Sequence, residues 1–167
     1  DSGTDYNHSM LAGSVVSEAC FSSTGISICP GGALQTTVAG SGLNCNPAVE
    51  GCDHGTHVAS IAVGARGTSP GPGVAPGAWL IPMKVFHYNT QAGGILSNSV
   101  DQARALERVF TLAGPGNVNR IASVNMSLAG GQVANQAQCD ADNASVKAAI
   151  DNLRSIGIAT VIASGNN

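Results

Sequence analysis

The stretch Asp53-His54-Gly55-Thr56-His57-Val58-Ala59-Ser60 has the residue types for proton transfer. Histidine ordinarily titrates near neutrality, so one imidazole can take a proton and give it back in a single cycle. Here polar residues and a glycine run straight into Val58, Ile61, Ala62 and Val63. That pattern predicts the first turn of a buried helix, with His54 at its mouth and free to face a cleft. Taken alone, the same residues also read as an ordinary helix start carrying two incidental histidines. Two more stretches decide between these readings: Asp1-Ser2-Gly3 at one end and Ala163-Ser164-Gly165-Asn166-Asn167 at the other.

In that order, the three stretches resemble signatures of the subtilisin-like serine proteases: Asp-Ser/Thr-Gly, then His-Gly-Thr-His-Val-Ala, then a strand ending in Gly-Asn. Gly73-Val74-Ala75-Pro76-Gly77-Ala78 and Val124-Asn125-Met126-Ser127-Leu128 resemble two further stretches of the same family, so the resemblance spans the chain. The family's fourth signature, Gly-Thr-Ser-x-Ala, carries the nucleophilic serine and is absent from these 167 residues.

The resemblance implies roles. A serine hydroxyl is a poor nucleophile without a base in reach, and the base needs an anion to fix its tautomer. His54 is the implied base, and Asp1 the implied partner of its other ring nitrogen. Asn166 is the implied oxyanion donor, aimed by the turn that Gly165 permits. His57 is the rival base; one turn deeper on the helix, it is expected to be packed and hydrogen-bonded. Asp53 is expected to help cap the helix, and Asp5 matches a second, non-catalytic acidic position. Ser127, Leu128, Ala129 and Gly130 resemble the segment lining the family's primary specificity pocket. Ala129 replaces the usual glycine, and its methyl would narrow the pocket or shift its entrance. Gly93 and Gly94 fall where the family places the opposite substrate-pairing edge, with room for an extended peptide to add as a strand. Outside this context Gly165-Asn166 reads as a strand-to-loop turn and the two substrate segments as Gly-rich loops.

Two other patterns lead elsewhere. Gly67-Thr68-Ser69-Pro70-Gly71 fits a Gly-x-Ser-x-Gly nucleophile elbow, but an elbow needs a strand before it and a helix after it. Gly71-Pro72-Gly73 forbids that helix. Ser127 lies in the implied substrate edge and Ser164 ends a strand beside the oxyanion loop, so neither suits a nucleophile. Cys45, Cys52, His54 and His57 could ligate zinc, but their spacing fits no common zinc framework. No cofactor is expected. Calcium is common in the family, yet no Asp-rich loop marks a site.

The elements that must position these residues follow from pattern. A helical turn is expected at His8–Leu11 and a short strand at Ser14–Val16. The Gly/Ser/Pro/Asn-rich stretch Ser22–Gly51 reads as a surface excursion. The histidine helix runs to about Ala65. Leu80–Phe86 reads as a buried strand, Ile121–Met126 as a second apolar strand and Ile158–Ala163 as a third strand. Ser97–Ala113 and Asn143–Ile156 carry apolar residues at helical spacing, with Asp142 as a cap and Gly157 as a stop. Strands alternating with helices predict an α/β fold: a doubly wound, three-layer parallel sheet with helices on both faces. Ligands bind beyond the carboxyl ends of such strands. His87–Gly94, Ser127–Leu128 and Gly165–Asn166 follow the three strands, so the candidate residues are expected on one sheet edge.

Composition sets the remaining bounds. The net charge of -3 and 10% charged residues give no footprint for nucleic acid or an anionic membrane. No apolar run approaches the about 18 residues of a membrane span. Five cysteines and a Ser/Thr/Asn-rich surface fit a secreted bacterial enzyme, extracellular or periplasmic. Local closure predicts disulfides Cys20–Cys29 and Cys45–Cys52, leaving Cys139 as a free thiol or paired outside this sequence. The chain begins on one motif and stops just after another, so residues 1–167 read as part of a catalytic domain truncated at both ends. Asp1 is then expected to be loose, with a charged amino group and no strand of its own. The expected function is peptide-bond hydrolysis by a monomeric serine endopeptidase acting on protein or peptide substrates. The rival is a pseudoprotease or binding domain that kept the fold and lost the serine.

Overall fold

A computed structural model describes residues 1–65, 67 and 71–166. Thr68, Ser69 and Pro70 of the Gly67–Gly71 pattern lie outside them. Among the described residues no helix is long and apolar enough to cross a membrane. The chain divides into two compact units, Asp1–Asn98 and Ser99–Asn167.

The first unit has one helix among very short strands: β1 (Ala19–Phe21), β2 (Ile26–Ser27), β3 (Gln35–Thr36), α1 (His54–Val63), β4 (Met83–Lys84), β5 (Phe86–Asn89) and β6 (Gly94–Ser97). One sheet has the order β3-β1-β4, with β1 parallel to β4 and antiparallel to β3. The other has the order β2-β5-β6 and is antiparallel throughout. His8–Leu11 makes the expected turn, with the Leu11 N–H 2.9 Å from the His8 carbonyl. The strand expected at Ser14–Val16 is a single parallel bridge, Val15 to Leu80.

Leu80–Phe86 is not one strand, because it changes partners along its length. Leu80 bridges Val15, β4 pairs with β1, and β5 pairs with β2 and β6. At the break, the Val85 N–H is taken by the Asp1 carbonyl at 3.0 Å. His87–Gly94 is therefore no loop after a strand; it is β5 and the turn into β6.

Both expected disulfides are present, with Cα–Cα distances of 5.6 Å for Cys20–Cys29 and 5.1 Å for Cys45–Cys52. They staple an irregular stretch that has few apolar side chains to bury. The small core cluster of this unit is Met10, Leu11 and Ala59, with Tyr6, Val63 and Leu80 packed against it. Helix α1 ends two residues earlier than its apolar pattern suggests. Its last carbonyls are satisfied from outside: Val74 N–H reaches Ile61 O at 2.9 Å and Ala75 N–H reaches Ala62 O at 2.8 Å. The Gly73-Val74-Ala75 stretch thus returns to close the helix end.

The second unit is regular: α2 (Ser99–Ala113), β7 (Ser123–Met126), α3 (Gln136–Asp142), α4 (Ala144–Ser155) and β8 (Ala159–Ile162). Helices α2 and α4 pack together, burying Ala103, Leu106 and Val109 on one and Val146, Ala149 and Leu153 on the other. Strands β7 and β8 are parallel, in register from Ser123–Ala159 to Met126–Ile162. Gly157, at φ +81°, follows α4 as expected. Asp142 is not its cap. It ends α3, and its Oδ1 accepts from Gln138 Nε2 at 2.7 Å. Asn143 holds the cap position instead.

The architecture is mixed α/β. The parallel pairs are β1–β4 and β7–β8, while β2, β3, β5 and β6 contribute antiparallel pairings. A sheet parallel throughout is not what the first unit forms, because the disulfide-closed segment and the β5–β6 hairpin both add strands antiparallel.

Candidate active site

Asp1 is fixed, not loose. Its α-amino group donates to Met83 O at 3.0 Å, and its carbonyl accepts from Val85 N–H at 3.0 Å. Those two bonds dock Asp1 beside β4 as a strand residue would dock. In residues 1–167 taken alone, burial pushes the amino group down from 8.0 to about 5.

From this anchor the Asp1 carboxylate reaches His54. Oδ1 accepts from His54 Nδ1 at 2.9 Å and from the Ser2 N–H at 2.7 Å. The His54 side chain is 49% exposed and that of Asp1 17%. A proton held on Nδ1 by the carboxylate leaves the lone pair on Nε2, the state a general base requires. His54 is the first residue of α1, and the two residues after it are tied to the Asp1 loop. Ser2 Oγ, buried, accepts from the Gly55 N–H at 3.1 Å and lies 3.4 Å from Asp1 Oδ1. Asp5 N–H donates to Thr56 Oγ1 at 2.8 Å.

This approach leaves no space at two glycines. A Cβ on Gly55 would strike the Gly3 carbonyl and lie 3.0 Å from Asp1 Oδ1. Gly3 itself sits at φ +97°, with the Leu43 carbonyl where its Cβ would be. The Asp-Ser-Gly and His-Gly-Thr motifs are thus two halves of one close contact.

The other candidates lie elsewhere. Gly93, at φ +67°, is in the β5–β6 turn, where Asn89 Oδ1 accepts from the Gln91 and Ala92 N–H groups at 3.0 and 2.8 Å. Gly94 opens β6 opposite Asn89, and β6 is the outer strand of its sheet among the described strands. In the second unit, Ser127 and Ala163 leave the carboxyl ends of β7 and β8 side by side, with Ala163 N–H on Met126 O at 3.1 Å. Ser127–Gly130 and Gly165–Asn166 therefore share one edge of that strand pair. Ser127 Oγ accepts from Asn125 Nδ2 at 2.9 Å, Ala129, Gly130 and Asn166 are exposed, and Gly165 is at φ +103°.

The chain matches the subtilase family model over residues 1–167. It belongs to the subtilase family. An extracellular protease of Xanthomonas campestris pv. campestris is 34% identical to this subtilase over 123 residues, which are 72% of this chain and 19% of that protein. The matched stretch is thus about a fifth of that relative's length.

Several sequence-based expectations for this subtilase need correction. His57 is not packed inside. Its side chain is 71% exposed, and its Nε2 lies 3.9 Å from Asp53 Oδ2, because four residues apart on a helix is one face. Asp53 does stand at the N-cap, but its side chain makes no capping bond. Its backbone is already helical (φ -91°, ψ -14°), whereas a capping side chain needs an extended one. The zinc set, already set aside on its spacing, is further excluded because Cys45 and Cys52 are joined to each other and offer no thiolate. Cys139 has no disulfide partner among the described residues. Among the described residues, no three of His, Cys, Asp and Glu cluster to hold a metal.

Sequence reading missed Ser2, Glu18 and Lys84. Ser2 was legible, since it sits inside the Asp1 motif. Glu18 and Lys84 gave no signal; each is a single charge in a stretch without periodicity.

Proposed function

We propose that this subtilase chain is part of a serine endopeptidase catalytic domain. The observation that carries the reading is the 2.9 Å bond between His54 Nδ1 and Asp1 Oδ1 on a half-exposed imidazole. Asp1 holds the tautomer and stabilises the imidazolium. His54 takes the proton from a serine hydroxyl and returns it to the leaving amine. Asn166 donates to the oxyanion of the tetrahedral intermediate. The serine is supplied from a Gly-Thr-Ser-x-Ala stretch outside residues 1–167. In the intact domain the parallel pairs belong to a doubly wound, three-layer sheet.

The substrate is an extended protein or peptide segment. Gly93–Gly94, on the β6 edge, and Ser127–Gly130 are the segments assigned to pair with its backbone. The triad chemistry needs no cofactor. Two disulfides and the extracellular protease relative support secretion from a bacterium, and we assign the enzyme a monomeric state.

The test uses the parent enzyme and this chain side by side. In the parent, His54→Ala is expected to abolish turnover of a chromogenic peptide and labelling by a serine-directed phosphonate. Triad members act as a unit, so the loss is on the order of 10⁴-fold or more. Residues 1–167 alone are expected to turn over no faster than their His54→Ala variant. Labelling of a serine within residues 1–167 that His54→Ala abolishes would move the nucleophile into this chain. A parent with no labelling at all would make the domain a pseudoprotease.

A further inference from the structure

A second ionic frame lies behind the Asp1–His54 pair. Glu18 stands just before β1. Its Oε1 accepts from the Gly40 N–H at 2.8 Å, and its Oε2 accepts from the Gly42 N–H at 2.7 Å and from the Tyr6 hydroxyl at 3.0 Å. One carboxylate thus takes three hydrogen bonds, each charge-assisted and so roughly twice as strong as a neutral one. From the far side Lys84, buried in β4, donates from Nζ to the Leu43 carbonyl at 2.9 Å. Burial lowers the Lys84 pKa and the Glu18 charge opposes that fall.

The segment gripped by these two charges is what the Asp1 loop rests on. Gly42 O accepts from the Thr4 N–H at 2.8 Å, and the Leu43 carbonyl occupies the space beside Gly3. Gly42 has no room for a side chain, wedged between Pro82 and Glu18. Lys84 is also the residue between Met83 and Val85, the two partners of the Asp1 backbone. Asp1–Thr4 therefore lies between α1 on one side and a segment held by Glu18 and Lys84 on the other.

We propose that Glu18 is a positioning residue for the Asp1–His54 pair, acting through Gly40–Leu43 on the Asp1–Thr4 loop. Glu18 touches neither side chain of the pair. It sets where the Asp1 carboxylate stands, and so which nitrogen of His54 keeps its proton. The proposal rests on the roles given above to Asp1 and His54.

The test reads the tautomer directly. In residues 1–167 labelled with ¹⁵N-histidine, the ratio of Nδ1–H to Nε2–H forms of neutral His54 is measured by NMR. Glu18→Gln offers an NH2 where one glycine N–H needs an acceptor, and is expected to lower that ratio about threefold or more, as coupling between neighbours allows. Tyr6→Phe, which keeps the ring in the core, moves it the same way by less. In an Asp1→Ala background Glu18→Gln adds nothing further. A lower melting temperature with an unchanged ratio would make Glu18 merely structural and overturn the proposal. Should Glu18→Gln fail to fold, Tyr6→Phe decides: a lowered ratio supports the proposal and an unchanged one overturns it. If Asp1→Ala itself leaves the ratio unchanged, the role given to Asp1 falls and this proposal with it. If Asp1→Ala moves the ratio and Glu18→Gln does not, only this proposal falls.

Discussion

In Asp1–Asn98 the chain is held by two disulfides and by side-chain bonds that join residues 41 to 53 positions apart, such as Lys84 to Leu43 and His54 to Asp1. In Ser99–Asn167 it is held by helix and ladder bonds, and the side chains of Asn117, Asn143 and Lys147 bond only four positions away. The difference follows from composition. The first unit is short of apolar periodicity and replaces it with staples and polar clamps. The second buries helical stripes and needs neither. It also separates two kinds of candidate residue. The Asp1–His54 contact is placed by specific long-range polar contacts, which tolerate little displacement. Ser127–Gly130 and Gly165–Asn166 simply leave the ends of paired strands.

The comparison breaks first at the cross-links. Reducing both disulfides is expected to weaken the first unit by about 2–3 kcal/mol per bond on the loop-entropy estimate, roughly 5 kcal/mol together. Hydrogen exchange should then show amides of α1 and β1 exposed while those of α4 and β8 stay protected. Equal loss in both units would mean that they fold as one.

Next in size is a pH effect confined to the first unit. In residues 1–167 taken alone, the Asp1 amino group goes from 8.0 when unfolded to about 5 when buried. Between those values the unfolded chain binds the extra proton, so stability rises with pH across that window and levels off above 8. Three pKa units correspond to at most about 4 kcal/mol. Urea midpoints at pH 5 and pH 8 test this, and a flat profile would contradict the buried amine.

In the second unit, Leu153→Ala should cost about 3 kcal/mol, since Leu153 is fully buried where α4 meets its neighbours. Thermal melts that place the loss below 1 kcal/mol would show that its packing is not what holds the unit. The smallest effect is expected at Lys147, exposed and paired with Asp151 at 2.8 Å one turn along α4. Solvent and salt screen such pairs, so Lys147→Ala should leave the melting temperature unchanged within error, and a clear fall would show the exposed pair to be structural.

The same contrast explains what could be read in advance. Helices α2 and α4 announced themselves through Ala103, Leu106, Val146 and Leu153, because burial against one neighbour imposes the helical period. Strands β7 and β8 were legible as apolar runs. Helix α3 was not, since Gln136–Asp142 is polar, has no buried residue, and so carries no period. In the first unit, motifs revealed Asp1 and His54, and loop length revealed the disulfide pairing. The partner changes along Leu80–Asn89 were invisible, because they depend on where the remote Asp1 backbone docks. Glu18 and Lys84 were invisible for the same reason: a clamp between distant segments leaves no local pattern.

Asp1 donates to Met83, 82 residues along the chain, while the disulfides span only 9 and 7 residues. The two cross-links shorten the search that brings Asp1 to β4 only slightly. Contacts of such separation carry the closure entropy of the whole intervening loop and form slowly. During refolding, helix signals are therefore expected to recover well before the His54 tautomer settles. Until that last docking step the chain has an imidazole with no carboxylate to orient it, so the orientation of the His54 ring reports the completion of folding.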